Sequence, residues 1–347
     1  MNVVVLHDHI ASDARADEID ALVQAEEVSK ALSALGHRPI IRSCSWDLSA
    51  LKAEFTRARP DLVFNLVESL GGQGALAHVV PALLDVWDIP YTGTRTEGMF
   101  LTSSKLLTKQ FLSAQEIATP PWLTIADTAA GRSAIHAGPR YPGRFIIKAI
   151  WEEASFGIDA GAIMDAKNEA DLRAKLAQRS EHLGREAFAE AYIDGREFNL
   201  SVLETEKGPV VLPPAEIDFG DFPPNKPRIV DYAAKWDVNS FEYHHTPRRF
   251  EFADADRGLL DQLVSLAIRC WEVFGLRGYV RVDFRVDDQR RPWVLEINAN
   301  PCISPDAGFV AAAERGGLNF VNVVDAIVRS AMRGAVKPAS RSPAAAR

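Results

Sequence analysis

The sequence is poor in cysteine. Its three copies, Cys44, Cys270 and Cys302, are far apart and odd in number. That excludes a disulfide scaffold and a cysteine-built zinc site, and it fits a reducing compartment. Long hydrophobic runs are missing too, with nothing near the ~18 apolar residues that cross a bilayer. The opening Met1–Leu6 turns charged at once, unlike a signal peptide, so a cytoplasmic protein without a membrane partner is expected. There is no basic excess. Lys and Arg number 39 against 47 Asp and Glu, a net charge of −8, which disfavours nucleic acid as a partner. The short nucleotide fingerprints are absent as well. No G-x-x-x-x-G-K-[ST] occurs, and the first apolar run meets His7-Asp8-His9 rather than a G-x-G-x-x-G turn. What is present is ordinary globular composition, 47% apolar and 25% charged over 347 residues, enough for two or three domains and with no internal repeat.

Val3–Leu6 reads as a buried parallel strand. Residues 16–35 carry apolar side chains at helical spacing and stop at Gly36; 39–41 reads as strand, 48–57 as helix and 61–67 as strand. A helix is expected over 76–86, with Pro81 kinking it or marking its first turn, and another strand from Ile89. This alternation predicts an α/β unit with a parallel sheet. Gly71-Gly72-Gln73-Gly74 reads equally well as a tight turn or as a substrate contact. Further on, helices are expected over 103–114, 170–179, 256–274 and 320–332. Strands are expected over 144–148 and 188–192, the latter turning at Gly195 into a hairpin partner at 197–203. A second hairpin, 278–286 with 292–297, turns at Asp287-Asp288-Gln289. The Ala-, Pro-, Ser- and Arg-rich tail from Gly334 should be disordered.

The strongest chemical signal lies in that second hairpin. Arg281-Val-Asp283 and Glu296-Ile-Asn298 alternate polar with apolar residues, so period two puts each polar pair on one face. Asp283, Glu296 and Asn298 then form an oxygen cluster suited to a hard cation such as Mg²⁺. An exposed hairpin face is the plain alternative. The turn formers Asn298-Ala-Asn-Pro301, directly after a buried-looking strand, favour the cluster.

With Leu295-Glu-Ile-Asn-x-x-Pro301, this arrangement resembles the metal end of ATP-grasp enzymes, most closely the D-alanine–D-alanine ligase branch. Other segments resemble that family in the same order: Ile89-Pro-Tyr-Thr-Gly93, Lys105-Leu-Leu-Thr-Lys109, Thr119-Pro-Pro121, Phe145-Ile-Ile-Lys148, Glu190-Ala-Tyr-Ile193-Asp-Gly-Arg-Glu197 and Asp231-Tyr-Ala-Ala-Lys235. The resemblance implies an ATP-grasp fold, α+β in the C-terminal half, behind a parallel-sheet α/β domain. The expected division is 1–95, 96–187 and 188–333, with 334–347 as tail.

The resemblance also implies the site. ATP and Mg²⁺, with Mn²⁺ as substitute, would be the cofactors. Lys105, Lys148 and Lys235 would surround the phosphates, and Ser155 would lie in a loop over them. Glu190 and the Ile193 backbone would read adenine, while Glu197 would hold the ribose. Asp283, Glu296 and Asn298 would bind metal, and Arg281 and Lys235 would act in catalysis. A carboxylate and an amine, amino acids among them, would be joined through an acyl phosphate. A homodimer is common in the family. The sequence departs from the ligases at Glu68-Ser69, Glu153-Ala154-Ser155, Trp236, Cys302 and Ala307, and its Glu26-Glu27-Val28-Ser29 only loosely echoes their N-terminal motif. These are substrate-side positions, so another acid and amine are as well supported as D-alanine. A non-catalytic ATP-binding protein on the same fold is the alternative reading. An ATP-independent metal hydrolase would need no adenine segment.

Overall fold

The computed structural model describes residues 1–10, 14, 16–126, 138–152 and 154–334. The tail expected to be disordered therefore falls outside the described residues, apart from Gly334, and so does Glu153. Among the described residues, no helix is long and apolar enough to cross a membrane.

The chain opens with β1 (Asn2–Asp8), α1 (Ala16–Ala34), β2 (Arg38–Cys44), α2 (Leu48–Ala58) and β3 (Leu62–Asn65). The strands pair in parallel in the order β2-β1-β3. Val3 to Leu6 is apolar throughout because β1 is the middle strand and is buried on both faces. Gly36 (φ 79°) ends α1, and Asp47 caps α2 by accepting from the Ala50 N–H. The helix α3 (Val79–Val86) is shorter than the apolar spacing predicts, because the chain first makes a single 3₁₀ turn over Gly74–Leu76. Pro81 lies in the first turn of α3, where its missing N–H costs nothing. The strand expected from Ile89 reduces to one bridge between Val63 and Tyr91.

Two helices follow, α4 (Thr96–Ser103) and α5 (Lys105–Ala114). Ser104 ends the first and caps the second, accepting from the Leu107 N–H. The sequence shows α4 poorly because its buried residues Gly98, Met99 and Thr102 make no apolar stripe.

The second sheet is antiparallel, ordered β4-β7-β5-β6: β4 (Trp122–Thr124), β5 (Gly143–Ala149), β6 (Ile163–Ala166) and β7 (Ala187–Ala191). The helix α6 (Glu169–Leu183) covers it, packing Leu172 and Leu176 against Phe145, Ile147 and Ala189.

The third sheet runs β11-β10-β8-β12-β13, with β9 also on β8. Its strands are β8 (Arg196–Thr205), β9 (Gly208–Val211), β10 (Ala215–Ile217), β11 (Arg248–Arg249), β12 (Tyr279–Val286) and β13 (Pro292–Asn298). Between β10 and β11 stand two short helices, α7 (Tyr232–Trp236) and α8 (Phe241–His244). The long α9 (Arg257–Val273) lays Leu259, Leu263 and Ala267 on Phe198, Val282 and Phe284. That burial makes one face of the sheet apolar and leaves the other for polar residues. The expected hairpin of 188–192 with 197–203 does not form. β7 and β8 belong to different sheets, and the chain crosses between them at Gly195. Gly195 has φ 145°, and a Cβ there would lie 2.1 Å from the Val286 carbonyl oxygen, so the crossing needs glycine.

The last helices, α10 (Gly308–Arg315) and α11 (Phe320–Gly334), return to the start of the chain. Phe309, Val323, Val324 and Ile327 share one core with Val3, Val5, Val28 and Leu32.

Candidate active site

The register of the third sheet assembles the site. Asp283 pairs with Glu296 across β12 and β13, and Arg281 with Asn298. On the other side Asp283 faces Asn199 of β8, and Arg285 faces Glu197. Directly opposed residues share a face. Glu197, Asn199, Arg281, Asp283, Arg285, Glu296 and Asn298 therefore share the face turned away from α9. The period-two reading of the hairpin is correct, and β8 adds the half that the sequence pattern left unassigned.

The charges on this face are matched. Arg281 donates through Nε and Nη2 to the two Asp283 oxygens, at 2.8 and 2.9 Å. Asn199 Nδ2 donates to Asp283 Oδ1 at 2.8 Å. A carboxylate has about four lone-pair positions, so three are taken and one remains for a cation. Asn298 Oδ1 accepts from the Asn300 N–H at 2.9 Å and keeps its second lone pair. Glu296 lies 3.7 Å from Lys105 Nζ. Two carboxylates and an amide oxygen are a hard-donor set, and Mg²⁺ commonly takes one or two protein carboxylates beside nucleotide phosphates. The residues present fit that ion. Among the described residues, no cluster of three His, Cys, Asp or Glu offers another metal site.

A second focus lies where the second sheet meets α5. Glu190 is buried between two lysines, with Lys148 Nζ at 2.6 Å and Lys109 Nζ at 2.7 Å. Burial alone would raise its pKa, but the two cations outweigh burial and hold it below the usual carboxylate range. Burial pushes Lys109 down to about 8, with Glu190 opposing. Lys109 also donates to Thr119 Oγ1 and the Pro120 carbonyl, at 2.8 and 3.0 Å. The resemblance to the ligases implies Lys105 as the phosphate lysine of this helix. The structure puts Lys109, one turn on, beside Lys148, while Lys105 reaches Glu296 and the Glu152 carbonyl. The signal for Lys109 was its i,i+4 spacing from Lys105, which puts both on one helix face.

Glu197 is ion-paired with buried Arg285 at 2.8 Å, and burial still raises its pKa. Arg285 was missed because nothing in Arg-Val-Asp-Phe-Arg marks the second arginine. Lys235 sits near the end of α7 among Arg281, Glu296, Asp283 and Glu197; burial, then Arg281, lowers its pKa. Ile193 lies in the four-residue link between β7 and β8, between the two glutamates. Ser155 has φ 61° and donates to the Val230 carbonyl at 2.9 Å. Trp236 Nε1 donates to the Ala154 carbonyl at 3.3 Å. The loop after β5 is thus joined to the segment carrying Lys235 through Ser155 and Val230 and through Ala154 and Trp236.

Asp20 and Gln24 of α1 reach the segment around Cys302. Asp20 accepts from Ser304 Oγ at 2.9 Å and contacts Cys302 Sγ at 3.0 Å, and Gln24 Oε1 accepts from the Ile303 N–H at 3.1 Å. Glu26 is exposed and Glu27 pairs with Lys30, so the loose motif echo faces away from the site. Burial and Asp20 push the Cys302 thiol well above its usual range, which disfavours a nucleophile. Asp8 accepts from the Ser69 hydroxyl and from the N–H groups of Glu68 and Ser69, pinning that turn.

A hard-cation face, a buried lysine pair and two linked sheets suit an enzyme that handles a nucleotide, and comparison with known proteins gives the class, an ATP-dependent carbon–nitrogen ligase of the ATP-grasp fold. The profile described as D-ala D-ala ligase C-terminus matches residues 111–329. A D-alanine–D-alanine ligase of Synechococcus sp. (strain JA-3-3Ab) is 30% identical over 96% of this chain and 95% of its own. Another, of Moorella thermoacetica, is 31% identical over 90% and 94%. The Bacillus anthracis ligase solved with ATP superposes with a TM-score of 0.70 at 18% identity, covering 96% of this chain and 98% of that one. The chain belongs to the D-alanine–D-alanine ligase family.

Proposed function

We propose that the chain uses ATP and Mg²⁺, or Mn²⁺, to join a carboxylate to an amine in the cytoplasm, with D-alanine or a related α-amino acid on each side. A substrate carboxylate oxygen attacks the γ-phosphorus, and ADP leaves. The amine nitrogen then attacks the acyl carbon of the acyl phosphate. The resulting tetrahedral centre expels phosphate and the nitrogen loses its proton. The observation that carries this reading is the single polar face shared by Asp283, Glu296, Asn298, Arg281 and Glu197.

Phosphoryl transfer asks for positioning and charge neutralisation rather than a protein nucleophile. Asp283, Glu296 and Asn298 would hold the metal, which would offset phosphate charge when bound. Lys105, Lys148 and Lys235 bring cations to the phosphates; Ser155 lies in the loop above them, and Lys109 braces Glu190 from behind. Glu190 and the Ile193 backbone meet the adenine edge, and Glu197 meets the ribose. Arg281 and Lys235 face the charge that develops at the acyl centre. The Ile303 and Ser304 N–H groups are spent on Gln24 and on Cys302 Sγ, which makes Cys302's own N–H the backbone donor of an oxyanion site.

The test is ADP release and product mass spectrometry with ATP, Mg²⁺ and pairs of D- and L-amino acids. Asp283→Ala and Glu296→Ala should each lower turnover by about 100-fold or more, with the melting temperature within a few degrees of wild type. Full activity in both would sink the metal assignment. ATP binding without ADP release under every pair would favour the non-catalytic alternative.

A further inference from the structure

We infer that Arg248 binds the carboxylate of the amino acid that supplies the attacking amine, so that the acceptor site takes an α-amino acid and rejects a plain amine. The inference rests on the ligase reading. Arg248 and Arg249 make the two-residue edge strand β11. Successive side chains of a strand point to opposite faces, and the two arginines meet different surroundings. Arg249 is tied to Glu216, which also takes Arg196. Arg248 has no carboxylate within ion-pair reach among the described residues, and its guanidinium Nη1 donates only to the Asp306 backbone carbonyl, at 3.1 Å.

Its position is specific. The guanidinium lies against Gly308, where a Cβ would come 3.0 Å from Nε, so the glycine makes room for it. Gly308 opens α10, and Ala307 before it supplies no side-chain cap. The loop from Cys302 to Asp306 runs from the proposed acyl centre to this point. Arg248 pairs with Ile217, and Ile217 with Glu197, so Arg248 stands on the sheet face that carries Glu197, Arg285 and Arg281. The guanidiniums of Arg248 and Arg281 therefore share one face. Arg281 is neutralised by Asp283, whereas Arg248 has only a neutral carbonyl. Like charges on one face favour an anion between them. An α-amino acid carries its carboxylate one carbon from its amine, so an amine poised at the acyl centre places an anion beside that centre. Arg248 is exposed enough to be reached, and a guanidinium can take a carboxylate through two parallel N–H bonds.

The experiment compares amino acids with their amides as acceptors, reading ADP release and product mass for wild type, Arg248→Ala and Arg248→Lys. Wild type should use the acid and discriminate against the amide. Arg248→Ala should raise the acceptor KM by about tenfold or more, leave kcat and the KM for ATP within a few-fold, and erase the acid–amide preference. Arg248→Lys should recover part of it. An unchanged acceptor KM and an unchanged preference in Arg248→Ala overturn the inference alone. So does an equal loss with acid and amide accompanied by a lower melting temperature, which would mark Arg248 as a structural latch on Asp306. Wild type that releases no ADP with any pair overturns the ligase reading and this inference with it.

Discussion

Glu190 shows how one residue type takes its meaning from burial. In the sequence it is a glutamate in an alternating segment. In the fold it holds Lys109 and Lys148 together out of water. Asp8 is the opposite case, a half-buried carboxylate with no cation paired to it among the described residues. Burial raises it from 3.8 to about 6 against the Ser69 and Glu68 hydrogen bonds. The folded state therefore holds this proton more tightly than the unfolded chain does. Its contribution to stability is complete below the unfolded pKa and is lost as pH rises through about 6. Between pH 4 and 7, wild type should lose on the order of 2 kcal/mol relative to Asp8→Asn. Urea unfolding of both proteins at several pH values measures this; parallel pH profiles would contradict it.

At the scale of elements, the crossing at Gly195 links the two halves of the proposed nucleotide site, Glu190 on β7 and Glu197 on β8. Gly195→Ala should cost about 2–3 kcal/mol and raise the KM for ATP, because Val286 leaves no space for a Cβ. Gly184→Ala is the control. That residue has φ 59° and open space around it, so only the left-handed penalty of about 1 kcal/mol applies. Denaturant midpoints and ATP kinetics separate the two; equal effects would mean that the crossing geometry is unimportant. The hairpin expected here shows why alternation misleads. Period two reports that a strand has two unlike faces, not which strand lies beside it.

Across the whole molecule, α10 and α11 close a core with α1 and β1, joining the ends of the chain. The proposed units 1–95, 96–187 and 188–333 would then be coupled in unfolding, although each carries most of one sheet, β7 of the second lying across the 187 boundary. Ile327, fully buried in that shared core, supplies the check. Ile327→Ala should cost about 2–5 kcal/mol, and hydrogen exchange should quicken in β1 and β12 together. Quickening confined to the C-terminal strands would show that the N-terminal unit stands alone.

The sequence by itself determined the elements with strong periodicity, because burial on one or both faces leaves a pattern that no other conformation satisfies. It also determined the acidic face of β12 and β13, since a short turn fixes their register and hence which side chains share a side. Four features were decided only by the tertiary structure: Lys109 beside Glu190, Arg285 on Glu197, Asp20 and Gln24 reaching Cys302, and Arg248 facing that loop. Each pairs residues far apart in the chain, or chooses between neighbours one turn apart. Long-range packing makes such choices, and local pattern carries no record of them.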